Sequence, residues 1–461
     1  MLSKLYILLI SSAVFSVHTH AVTVLAPTGP VTGRTSTKGN FAFLGIPFAE
    51  AGRWEAPSVV TPWISPLEAF EFKQSCPQIC QDVLCPDSIG EDCLFLNVWT
   101  PAADSSKIQT TSTPLSNPQT PVLVFFHGGS FDIGGAGMTA YDGAELAAAL
   151  GVVVVTFNYR LSVFGFFDFA GVDPSDTAPS AVNFGILDQR AALTWVQTNI
   201  ASFGGNAADV TLLGQSAGAQ SILLQLLQPS VRSTIKNIIL MSPPALSLRT
   251  SQRGRAQAAA VAKKLGCSSR SCLNLHSMRD ILTANADASD SDYRTLSGVS
   301  LGDMTPIVDG VDITMNPYDV LGRDDLLGGL RIVIGGVSNE TWLMIDKANP
   351  GNLSTPLFNV IMEAIYTPHD EVLRNVYDAD SPGYLASRKP VLTQMTSDWI
   401  FLCPQRKVLQ ATSSTARVWA YILEAPWLGG SDEAIGNICD GNACHTTDLS
   451  YLFRTPGDCK G

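Results

Sequence analysis

The strongest chemical signal in the chain lies between Val210 and Ser221, in the sequence VTLLGQSAGAQS. Val210 to Leu213 is a short apolar run of β type, Gly214-Gln215-Ser216-Ala217-Gly218 breaks it, and a helical pattern follows from Ala219. A serine at such a strand–turn–helix corner is held in a strained backbone that pushes its Oγ outward, and the two glycines let strand and helix approach. Ser216 is therefore the candidate nucleophile. A serine needs a base, and four of the six histidines remain candidates once His18 and His20 are assigned to a leader: His127, His276, His369 and His445. His127 comes too early for the chain order serine, acid, histidine. His276 lies beside a small cysteine loop and His369 opens an acidic helix start, so His445, in a loop after the last clear strand, is preferred. Glu340 qualifies as the acid that orients it, because it follows the strand Arg331–Ile334 in RIVIGGVSNET. Donors for an oxyanion are expected from the turn His127-Gly128-Gly129-Ser130-Phe131, with the N–H groups of Gly129, Ser130 and Ala217 facing the reacting carbonyl.

These groups need a scaffold. PVLVFF (121–126) and VVVVTF (152–157) are continuous apolar runs, as expected of strands covered on both faces of a mostly parallel sheet. Leu94–Trp99, Asn237–Met241, Arg331–Ile334 and Val418–Ile422 read as further strands, and Tyr141–Leu150 and Leu187–Ile200 as helices. Alternating strands and helices predict an α/β fold with helices flanking a central sheet. Residues 102–120 are rich in Ser, Thr and Pro without periodicity and read as an exposed connection within one domain.

At 461 residues, 46% hydrophobic and 15% charged, the chain can bury one large core. Its net charge of -12, with no basic run, leaves nothing to neutralise phosphates and excludes nucleic acid as a partner. Lys4, the apolar run Leu5–Val17 and the small residues before Ala21 read as a secretory signal over residues 1–21, too short and too serine-rich for a membrane span. No later segment has the length and apolarity of an integral membrane segment. Ten cysteines, none in that leader, fit an oxidising compartment, and their spacing predicts small disulfide loops. No Cys-x-x-Cys or His-x-x-x-His spacing occurs, so no metal site is expected, and the chemistry calls on no cofactor. The Asn-x-Ser/Thr sequons fall at Asn339 and Asn352.

The chain resembles the type-B carboxylesterase family of the α/β-hydrolase fold. FLGIPFAE, EDCLFLNVWTP, NYRLSVFGFF, NFGILDQRAALTWVQTNIASFGGNAADVTLLGQSAGA, TPIVDG and ACHTTDLSYLF occur in family order across nearly the whole of residues 22–461. The resemblance implies Ser216, Glu340 and His445 as the triad of a secreted carboxylic ester hydrolase that works through an acyl-enzyme on small ester substrates. It also implies Cys76–Cys93 and Cys267–Cys272 disulfides, with a Cys439–Cys444 bridge pinning the histidine loop. Ser130 stands where the family has a third glycine, and Thr341 where glycine follows the acid, creating the Asn339 sequon. A glycan beside a buried acid has no room, so modification is expected at Asn352 and not at Asn339. The chain ends at Gly461, sixteen residues past His445, where the family continues for several helices, and Cys403 is left to pair with Cys459 or stay free. A non-catalytic adhesion or storage protein is the alternative on this fold, against which all three triad positions are filled. A cholinesterase is disfavoured because PQICQDVLCPDSIGED, between Cys76 and Cys93, holds no aromatic ring for a quaternary ammonium. A lipase stays open, since one sequence does not reveal a lid.

Overall fold

The structure is a computed structural model that describes residues 20–453 except 81–84, 102, 114, 116–117, 176–181, 246–247, 289–303, 322–323, 385, 427–438 and 440. Ten strands build its main sheet: β1 (Ala21–Ala26), β2 (Gly29–Thr35), β3 (Phe41–Pro47), β4 (Phe95–Trp99), β5 (Thr120–Phe126), β6 (Val153–Phe157), β7 (Gly205–Gln215), β8 (Asn237–Met241), β9 (Arg331–Val337) and β10 (Arg417–Leu423). Their spatial order is β1-β2-β3-β4-β6-β5-β7-β8-β9-β10, and the short strand Leu67–Glu68 adds to β2. The β1–β4 end is antiparallel, and every pair from β6 to β10 is parallel. This is the mostly parallel sheet with flanking helices that the apolar runs predict, and it fits the α/β-hydrolase fold that the resemblance implies.

Side chains alternate along each strand, so the apolar runs feed two cores. One face of the sheet presents Val122, Val124, Phe126, Val210 and Leu212, and buries them with Ile186 and Val196 of helix α2 (Phe184–Asn199) and Ile222 of helix α3 (Ala217–Gln225). The opposite face presents Leu123, Phe125, Val154 and Leu213 to Leu146 of α1 (Ala144–Leu150) and to Leu449 and Phe453 of α4 (Thr447–Phe453). The turn carrying Ser216 and the loop carrying His445 thus enter helices on opposite faces of one sheet.

Several boundaries differ from the sequence reading. β7 begins at Gly205, five residues before its apolar stretch, because a register shift between Gly205 and Val210 lets Asn206 and Asp209 stay at the edge of the ladder. Helix α3 begins at Ala217 instead of Ala219, directly after the nucleophile candidate. The stretch from 102 to 120 is not wholly exposed: Ile108 is buried, and Gln109 accepts from the Leu25 N–H and donates to the Ser202 carbonyl. Of the signal expected over residues 1–21, residues 1–19 lie outside the described residues, and β1 starts at Ala21, opposite Arg34.

One buried ion pair locks the frame around the elbow. Arg160, just past β6, sends Nε and Nη2 to the two carboxylate oxygens of Asp188 on α2 at 2.8 and 2.7 Å, and its own N–H to Oδ2 at 3.0 Å. Both residues are nearly inaccessible, so removing one partner leaves a buried charge unpaired, at a cost of about 3–5 kcal/mol.

Candidate active site

Ser216 sits between the end of β7 and the start of α3 with φ 55° and ψ −123°, outside the regions open to an ordinary residue. Neighbouring backbone holds it there: its N–H donates to Met241 O at 2.9 Å, and its carbonyl accepts from Gln220 N–H at 3.1 Å. The flanking glycines are required by contact. A Cβ on Gly214 would lie 2.5 Å from the carbonyl carbon of Gly218, and one on Gly218 would collide with the carbonyl oxygen of Phe126. Ser216 retains 7% of its surface.

The turn after β5 lies against the elbow, since a Cβ on Gly128 would be 3.1 Å from Ser216 Cβ. Gly129, Ser130 and Phe131 carry consecutive positive φ values of 105°, 57° and 63°. Each such non-glycine residue costs on the order of 1–3 kcal/mol, so the surroundings must fix it. Phe131 is buried edge-on against Phe166, the Ser162 N–H donates to its carbonyl, and the N–H groups of Asp132 and Ile133 both donate to Gly129 O. The N–H groups of Gly129, Ser130 and Ala217 meet no protein acceptor among the described residues. His127 is buried within this turn, stacked on Tyr159 with Nδ1 2.8 Å from Gly128 O, and burial pushes its pKa down to about 4. It supports the turn as a neutral ring. His276 is half-buried near the Cys267–Cys272 bridge, and His369 is exposed before the helix Asp370–Val376.

Glu340 and His445 do come together. Nδ1–H of His445 donates to Glu340 Oε2 at 2.6 Å, and Glu340 Oε1 accepts from the Val337 N–H at 3.0 Å. Glu340 is fully buried and His445 keeps 6% of its surface. The loops that carry them are sewn together: Asn339 N–H donates to Ala443 O at 3.0 Å, and Asn339 and Cys444 form a parallel bridge. The Cys439–Cys444 disulfide closes the histidine loop immediately before His445. Cys76–Cys93 and Cys267–Cys272 are also bonded, as the resemblance implies. A further bridge, Cys80–Cys85, sits inside the Cys76–Cys93 loop, and Cys403 is a free, exposed thiol. Cys459 lies outside the described residues.

Three neighbours of His445 are not singled out by the sequence. Phe401 packs on its ring with centroids 4.8 Å apart. Gln215 places Nε2 of its amide 3.1 Å from His445 Nε2. Asp448, on α4, accepts from the Tyr421 hydroxyl at 2.8 Å, and burial followed by the charge of Glu340 pushes its carboxyl up to about 6. Only Gln215 carries a visible signal, its place inside the Gly-Gln-Ser-Ala-Gly turn. Phe401 and Asp448 are brought in by the fold from elements with no chemical motif.

Cys267, Cys272 and His276 gather within 4.8 Å among the described residues, but the two cysteines are joined to each other and offer no thiolate to a metal. Among the described residues no helix is long and apolar enough to cross a membrane. At Asn339, half-buried, the sequon threonine Thr341 is fully buried and bonded to Thr393 O and Ser397 Oγ, whereas Asn352 is exposed.

Comparison with known proteins agrees with this architecture. The family model of the carboxylesterase family matches residues 20–457. The cAMP-regulated D2 protein of Dictyostelium discoideum is 30% identical over 434 residues, covering 90% of this chain and 75% of that one. Acetylcholinesterase of Bungarus fasciatus is 30% identical over 441 residues, covering 84% and 68%. Among solved structures, a PNB esterase superposes with a TM-score of 0.75 at 27% identity, covering 95% of this chain and 85% of that one. Family model, overall fold and the strand–turn–helix around Ser216 converge, and the chain belongs to the carboxylesterase family.

Proposed function

We propose that this protein is a secreted serine hydrolase that cleaves small carboxylic esters through an acyl-enzyme, with Ser216 as nucleophile, His445 as base and Glu340 as the acid that orients it. The observation that carries the reading is the 2.6 Å bond from His445 Nδ1–H to the buried Glu340 carboxylate, which fixes the tautomer with its lone pair on Nε2. Ser216 Oγ attacks the ester carbonyl and its proton passes to His445 Nε2. The negative charge that develops on the carbonyl oxygen meets the N–H groups of Gly129, Ser130 and Ala217, where each donor contributes about 3–4 kcal/mol in enzymes of this chemistry. The imidazolium returns the proton to the leaving alcohol, and water repeats the sequence on the acyl-enzyme. Four disulfides support secretion, as they persist in oxidising compartments.

The non-catalytic reading keeps one specific support: the D2 protein, a relative at 30% identity, bears a name that states no activity. Labelling with a fluorophosphonate followed by intact-mass measurement separates the two. The wild-type chain should gain one phosphonyl group and turn over a short-chain aryl ester. Ser216→Ala should take up none, stay folded and lose nearly all turnover. More than a few per cent residual activity in that variant removes Ser216 from its role, and an unlabelled, inactive wild type favours the non-catalytic reading.

A further inference from the structure

Nε2 of His445 is the atom that must accept the Ser216 proton, and in the structure it is already engaged. The side chain of Gln215, the last residue of β7, lies with Nε2 at 3.1 Å from it. Because Nδ1–H of the ring is committed to Glu340, ring Nε2 bears the lone pair, and the amide N–H of Gln215 is the donor. Ser216 Oγ makes no hydrogen bond among the described residues. Gln215 is 1% exposed, and its Oε1 occupies the space beside Gly128 where a Cβ would come within 2.5 Å of it. The amide is therefore wedged between the oxyanion turn and the base, adjacent in sequence to the nucleophile.

We propose that Gln215 is a positioning residue that competes with Ser216 for His445 Nε2, so that the free enzyme rests with its base capped and reacts only when the amide is displaced. This rests on the triad reading above. In the resting state the ring is held at both nitrogens, Nδ1 by Glu340 and Nε2 by Gln215. The hydroxyl of Ser216 can pass its proton to Nε2 only after the Gln215 N–H has left it. The barrier to acylation then includes the rupture of one ordinary buried hydrogen bond, a factor of about two to ten in rate.

The test compares the second-order rate of fluorophosphonate labelling in the full chain for wild type, Gln215→Met, Gln215→Leu and Ser216→Ala. Met and Leu keep the apolar bulk and cannot donate. Both should label faster than wild type by about two- to tenfold. A residue that merely supports the fold would slow labelling when replaced, by lowering the folded fraction. Unchanged or slower labelling in folded Gln215 variants, with Ser216→Ala unlabelled, overturns the competition and leaves the triad standing. Labelling of Ser216→Ala at the wild-type rate overturns the triad reading itself. If neither Gln215 variant folds, ¹⁵N-histidine NMR of the wild type decides, with His445→Gln assigning the signal: Nε2 should resonate as a hydrogen-bonded imine nitrogen. A signal at the unbonded position refutes the cap.

Discussion

Asp448 is a carboxyl held where charge is unwelcome, and replacing it with asparagine turns that into a measurable stability. The side chain is 5% exposed, Oδ2 accepts from Tyr421, and Oδ1 has no partner among the described residues. Burial is the largest cause of its raised pKa, the Glu340 charge adds to it, and Tyr421 and His445 oppose it, leaving a value of about 6 against an ordinary 3.8. A carboxyl whose folded pKa is raised contributes stability that is fully present below 3.8 and is lost as pH rises through 6. Two units at 1.36 kcal/mol each put the loss at about 3 kcal/mol above that window. The amide introduced by the substitution would carry no charge but would accept a weaker bond from Tyr421, which returns about 1 kcal/mol of the gain. Asp448→Asn should therefore stabilise the fold by about 2 kcal/mol at pH 8, and by less than about 1 kcal/mol, or not at all, at pH 4. Urea unfolding of both chains at the two pH values measures this. A difference between the chains that does not grow with pH would refute the electrostatic account of this site.

Gly218→Ala should destabilise the protein by about 1–3 kcal/mol or prevent folding, because its Cβ would collide with backbone at Phe126; thermal unfolding against wild type checks it. Quaternary ammonium esters should not be preferred over neutral ones: a cation–π site is worth about 0.5–2 kcal/mol, a few-fold to about thirtyfold. Specificity constants for butyrylcholine and 3,3-dimethylbutyl butyrate measure this, and a choline advantage above about tenfold would point to an aromatic ring outside the Cys76–Cys93 loop, with Phe401 beside His445 the first to mutate. Expressed through a eukaryotic secretory route, the chain should carry its glycan at Asn352 and none at Asn339, whose sequon threonine is sequestered against Thr393 and Ser397; glycopeptide mass spectrometry locates it.

What the sequence discloses follows how local each feature is. The elbow is legible because strand, glycine-flanked serine and helix are contiguous between Val210 and Gln225, and the parallel strands because runs such as PVLVFF carry both faces of the sheet in one stretch. Glu340 and His445 are legible only as candidates after strands, since the bond between them spans 105 positions. The engagement of His445 by Gln215 spans 230 positions and depends on one side-chain rotamer, which no periodicity encodes. Gly205 escapes notice as the start of β7 because a register shift breaks the apolar pattern there, and Ile108 because one buried residue in a polar stretch leaves no pattern at all.

The bond from Asn339 to Ala443 lies outside the main sheet, yet it joins the two loops that carry Glu340 and His445. That bond and the direct contact of His445 with Glu340 are what hold the two loops together, whereas Ser216 is clamped to Met241 in the sheet. Inactivation by gentle heat or denaturant can then precede loss of the core, with the Asn339 amide exchanging its hydrogen sooner than those of β7. On the proposed triad, the lifetime of activity would then be set at the junction of these two loops before the sheet beneath them melts.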